Sequence, residues 1–107
     1  MEAACRGART AGGTTLGILP GSDRAAANPH VAVAVATGMG ELRNGLVVRS
    51  ADALIAVAGG HGTLSEIALA LKAGKRVAAI GSWKIDGVLP AADAGEAVAL
   101  VLGAPPA

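Results

Sequence analysis

The chain has 107 residues, with 16 glycines, 26 alanines, a single aromatic ring at Trp83, 52% apolar and 16% charged residues, and a formal charge of +1. That length buries one modest core and excludes two, and the apolar fraction excludes a disordered chain. A near-neutral charge and one aromatic ring argue against duplex grooves and multi-ring base platforms, and the single Cys5 excludes a disulfide framework or a cysteine-based zinc site.

From the N-terminus, Glu2 to Ala11 is alanine-rich and predicts a helix, with Gly12-Gly13 where a C-terminal cap would sit. Met1 to Arg6 lacks the basic-then-apolar order of a signal peptide. Thr14 to Leu19 predicts a strand closed by Pro20-Gly21, and Gly21 to His30 a polar loop. Val31 to Ala36 predicts a second strand, stopped by Thr37-Gly38-Met39-Gly40. Glu41 to Asp52 predicts a helix on the spacing of Leu42, Leu46 and Arg49. Ala53 to Ala58 is a continuous apolar run, the pattern of a strand covered on both faces.

The next helix is the clearest: Thr63 is positioned as its N-cap, Leu64, Ile67, Ala68 and Leu71 line one face, and Gly74 ends it. Arg76 to Ser82 predicts another covered strand. A last helix from Ala94 to Leu102 is capped by Asp93, and Pro105-Pro106 closes the chain. Alternating helices and buried strands imply an α/β fold with a mainly parallel sheet in one domain over residues 1–107, with much of the alanine and glycine at close helix–sheet contacts. The most apolar stretch, Leu46 to Ala58, is interrupted by Arg49 and Asp52 and too short to span a bilayer, so a soluble, cytoplasmic protein with no membrane partner is expected.

Glycines beyond that structural use cluster between strand and helix, at the edge where open α/β sheets take ligands. Gly59-Gly60-His61-Gly62-Thr63 lets the backbone approach a ligand closely, and the helix N-terminus that follows carries roughly half a positive charge. A tight turn that only needs positive φ is the plainer alternative. Glu66 lies three residues after Thr63, so it reads either as a chemical group beside the anion site or as the partner in a capping box. Asp93-Ala94-Gly95-Glu96 repeats that spacing with no glycine loop before it, so spacing alone does not choose.

Arg43 sits in a first helical turn, where the macrodipole disfavours a cation, which suggests an anionic partner or a solvated surface arginine. Arg43 and Glu66 occupy equivalent places after consecutive strands. If those strands are neighbours, the two side chains share one crevice. Pro20-Gly21 could line the same edge, and Asp23 and Arg24 are expected to pair with each other. His30 and His61 stand apart from any carboxylate or cysteine at ligand spacing, so no metal site is expected.

Gly59-Gly60-His61-Gly62-Thr63-Leu64-Ser65-Glu66, with Arg43-Asn44 upstream and Ala51-Asp52-Ala53 between, resembles the LONELY GUY (LOG) family. That family, long labelled possible lysine decarboxylases, belongs to a Rossmann-like superfamily that includes the DNA-processing protein DprA. Met1 to Ala4, Gly17 to Gly21 and Ala27-Asn28-Pro29 are closer to a bacterial branch similar to the molybdenum-cofactor carrier of algae.

The resemblance implies a Rossmann-like three-layer α/β sandwich and a small phosphorylated ligand. The phosphate is held by Gly59, Gly60, Gly62 and Thr63, and His61, Pro20 and Gly21 are expected among the ligand-binding residues. In the LOG enzymes, which hydrolyse the N-glycosidic bond of cytokinin riboside 5′-monophosphates, the catalytic pair corresponds to Arg43 and Glu66. The ligand implied is a nucleoside monophosphate or, in the carrier-like branch, the molybdenum cofactor, with no further cofactor required.

Two departures favour the carrier branch over hydrolysis: Ala58 stands where LOG sequences have proline, and Asn44 where they have lysine. DprA-like binding of single-stranded DNA is the weaker alternative. The resemblance also implies a homo-oligomer. In these families the segment matching Met1 to Ala4 is internal, following a first strand, a helix, a second strand and another glycine-rich loop. The chain is therefore expected to lack those N-terminal strands.

Overall fold

The computed structural model describes residues 1–103; the expected closing Pro105-Pro106 lies outside them. The chain divides into two compact units, one over Met1–Arg43 and one from Asn44 onward.

The first unit opens with helix α1 (Glu2–Thr10), none of whose residues is buried. Gly12 takes φ +83°, and the Gly13 N–H returns to the Ala8 carbonyl at 2.8 Å, ending the helix where the glycine pair predicts. Strands β1 (Leu16–Leu19) and β2 (Val33–Ala36) then pair in parallel, Leu16 opposite Val33 and Leu19 opposite Ala36. Buried Thr15 starts the pairing. Its Oγ1 donates to the His30 carbonyl (2.6 Å) and accepts from the Ala32 N–H (2.7 Å), while its own carbonyl takes the Val33 N–H (3.0 Å).

The connection between the strands carries only a 3-10 turn, Arg24–Ala26. Asp23 caps that turn by accepting the Ala25 N–H at 2.9 Å, a short local bond that suits an aspartate. A 3-10 turn over Gly40–Leu42 leads into helix α2 (Arg43–Ser50), so the helix expected over Glu41 to Asp52 is split and shorter.

The second unit holds strands β3 (Ala53–Val57), β4 (Arg76–Ile80) and β5 (Val88–Pro90), all parallel in the order β3-β4-β5. Helix α3 (His61–Lys72) joins β3 to β4, and helix α4 (Ala94–Val101) follows β5. Ile67 and Ala70 of α3, Val77, Ala78 and Ala79 of β4 and Ala97 of α4 are buried, with Val48 and Ala56. Alanine at so many of these positions lets helix backbones sit close on the strands, which accounts for part of the alanine excess.

Two expectations change. β5 was not expected: three residues after Gly87, ending in a proline, are too few to show a period. And β3 is not covered on both faces, since Val57 is 60% exposed. It is an edge of its sheet, whereas β4 has a partner on either side and is buried along Val77–Ala79. The α/β class with parallel sheets holds.

Candidate functional site

The loop between β3 and α3 is built by backbone geometry that most residues avoid. Ala58 takes φ +48°, the only non-glycine with positive φ among the described residues. Two bonds hold it there. Its N–H reaches the Ile80 carbonyl at 3.0 Å, extending the β3–β4 pairing by one residue, and its carbonyl accepts Ser82 Oγ at 2.7 Å. Gly59 follows at φ +94°, and a Cβ there would run into the Thr63 side chain. The glycine requirement is therefore both conformational and steric at this one position.

Gly60 is the N-cap of α3, and its carbonyl accepts two donors, the Leu64 N–H and the Trp83 indole Nε1, each at 3.1 Å. The peptides are trans, so each N–H lies opposite its carbonyl. With the Ala58 and Gly60 carbonyls drawn toward Ser82 and Trp83, the N–H groups of Gly59 and His61 point the other way. Among the described residues no backbone carbonyl takes the N–H groups of Gly59 to Thr63, and the Gly60 N-cap has no side-chain bond. Backbone donors at the positive end of a helix suit an anion.

This geometry corrects the reading of Thr63. It is the third residue of α3 and not its N-cap, because the glycines let the helix begin three residues earlier than that reading requires. Thr63 and Glu66 therefore do not form a capping box; Glu66 is half-buried on the first turn and a half of the helix. The matching Asp93-to-Glu96 segment is a true cap, Asp93 accepting the Glu96 N–H at 2.8 Å.

Sequence reasoning missed the side chains that support the loop. Buried Asn44 donates to Ser65 Oγ (3.2 Å) and lies 3.5 Å from the Gly62 carbonyl, which itself accepts Ser65 Oγ at 2.7 Å. An amide thus ties α2 to the first turn of α3. Ser82 and Trp83, just past β4, secure the other side, and the Trp83 ring stacks on His61 with centroids 6.1 Å apart and planes at 27°. Trp83 carried a signal as the one aromatic ring, placed directly after a strand, and Asn44 as a departure from the LOG pattern; neither signal pointed to a support for the loop.

Gly59, Gly60, His61, Gly62, Thr63 and Glu66 all belong to the second unit, and Pro20, Gly21 and Arg43 to the first. The Pro20 and Gly21 carbonyls accept the Gly40 and Gly38 N–H groups, both at 2.9 Å, and the left-handed φ values of that region fall on Gly38 and Gly40. Arg43 is the first residue of α2, and its buried Nε has no hydrogen-bond partner among the described residues. Among the described residues, no three or more His, Cys, Asp or Glu side chains gather as a metal site, and no helix is long and apolar enough to cross a membrane.

Residues 1–102 match the family model described as the SLOG cluster4 family. The molybdenum cofactor binding protein of the phototrophic bacterium Rippkaea orientalis is 34% identical, with a TM-score of 0.81 over 95% of this chain and 69% of that one. The Moco carrier protein of Chlamydomonas reinhardtii is 38% identical, with a TM-score of 0.80 over 95% of this chain and 68% of the carrier. An uncharacterized protein of Archaeoglobus fulgidus is 50% identical over 80 residues, which are 75% of this chain and 52% of that protein. The chain thus spans about half the length of that relative.

Proposed function

The chain belongs to the SLOG cluster4 family, and on that footing we propose that it binds the molybdenum cofactor, a pyranopterin bearing a phosphate, and holds it without turnover. The observation that carries this reading is the row of backbone N–H groups from Gly59 to Thr63 without backbone acceptors, at the N-terminus of α3. A terminal phosphate suits such donors. The likeness to proteins whose names state molybdenum-cofactor binding supports this cofactor over a nucleotide. Asn44 supports binding over hydrolysis: it is spent on fixing α2 to α3, through Gly62 and Ser65, where LOG sequences place a lysine.

A second reading is hydrolysis of a nucleoside 5′-monophosphate at the glycosidic bond, the activity the LOG resemblance implies. There half-buried Glu66 would act on the ribose–water side of an oxocarbenium-like transition state.

One experiment separates them. The protein is incubated anaerobically with cofactor released from a molybdoenzyme, passed through gel filtration, and assayed for molybdenum and pterin; a parallel sample with AMP is assayed for free adenine. The carrier reading expects saturable molybdenum retention, unchanged by Glu66→Ala, with no adenine. Adenine release abolished by Glu66→Ala, without molybdenum retention, would reverse the assignment.

A further inference from the structure

Trp83 is the chain's only Phe, Trp or Tyr, and it is not in the core. A buried indole removes roughly 150–250 Å² of surface from water, the largest such gain any side chain offers. Yet the core is made of valine, isoleucine and alanine, and Trp83 stays 36% exposed at the rim of the glycine loop. Its polar atom is already used, with Nε1 on the Gly60 carbonyl, and its ring plane is set by the stack on exposed His61. What remains exposed of the ring, held in orientation by these two contacts, adjoins the Gly59–Thr63 loop.

We propose that Trp83, with His61 behind it, is the flat wall on which the fused heteroaromatic ring of the ligand stacks while its phosphate takes the N–H groups of Gly59 to Thr63. The inference rests on the carrier reading and adds the residue that selects a planar, π-faced ligand over a bare phosphate. A heteroaromatic ring stacked on an aromatic side chain gains about tenfold or more in affinity.

The test uses the chain's single indole as reporter. Emission is recorded on titration with the molybdenum cofactor and, separately, with inorganic phosphate, and molybdenum retention after gel filtration is compared among wild type, Trp83→Phe and Trp83→Leu. Phenylalanine keeps a π face but cannot donate to Gly60; leucine lacks both. The expected result is emission quenched by the cofactor and not by phosphate, retention in Trp83→Phe within about twofold of wild type, and retention in Trp83→Leu weaker by about tenfold.

Unchanged emission in wild type that demonstrably holds molybdenum overturns the proposal, whether or not the variants fold. So does Trp83→Phe falling as far as Trp83→Leu, which would mark the indole as a support for Gly60 only, or Trp83→Leu retaining cofactor like wild type. Wild type that retains no molybdenum at all removes the carrier reading together with this one. That failure is recognised by the metal assay and not by the emission.

Discussion

At the scale of single residues, the loop depends on two neighbours with positive φ held for different reasons. Ala58 is kept at φ +48° by its bonds to Ile80 and Ser82, each of which uses one backbone group of that residue. Proline is excluded there twice over, since its ring sets φ near −65° and it has no N–H for the Ile80 carbonyl. Alanine where LOG sequences have proline is thus part of how this loop is built. Gly59 is held by space as well as by φ. Gly59→Ala should lose about 1–3 kcal/mol of stability in urea titration, from the left-handed backbone and the overlap with Thr63, and should lower cofactor retention. Because part of that cost is overlap with one side chain, Gly59→Ala with Thr63→Ala should recover part of the stability but not all. Full recovery would mean that backbone conformation contributes nothing.

At the scale of elements, two segments with one spacing behave differently. Asp93 caps α4 through the Glu96 N–H, whereas Thr63 lies inside α3. Asp93→Ala should therefore cost about 1 kcal/mol, seen as a fall of several degrees in the thermal midpoint, and Thr63→Ala should cost no cap energy. Glycines that could adopt positive φ, and strong apolar runs, were readable in the sequence: they gave the loop, α3, β4 and the parallel α/β class. The N-cap of α3 was not readable, because Gly60 takes that role with its backbone alone and leaves no side-chain signature. Nor was the open face of β3, since an apolar run reads the same whether one face or both are covered. The support from Asn44, Ser65, Ser82 and Trp83 comes from residues distant in sequence, which no local pattern shows.

At the scale of the whole molecule, the second unit joins loop and core through different residues, so stability and binding are separable. Lys75 follows α3, and its Nζ donates to the Val48 carbonyl (2.6 Å) and the Ala51 carbonyl (2.7 Å), closing the C-terminal end of α2. A cation there also meets the negative end of that helix. Lys75→Met keeps most of the packing stem but leaves those carbonyls without it. The loss should be about 1–3 kcal/mol, a large share of the roughly 5–15 kcal/mol that holds a domain of this kind together. None of the atoms involved touches the glycine loop, which is secured from β4's end by Ser82 and Trp83 and from α2's beginning by Asn44. Lys75→Met should therefore shift the urea midpoint down while cofactor retention per folded chain stays at the wild-type value. Retention that falls in proportion to stability would show the loop to be held by the fold as a whole, and its dedicated supports to be incidental.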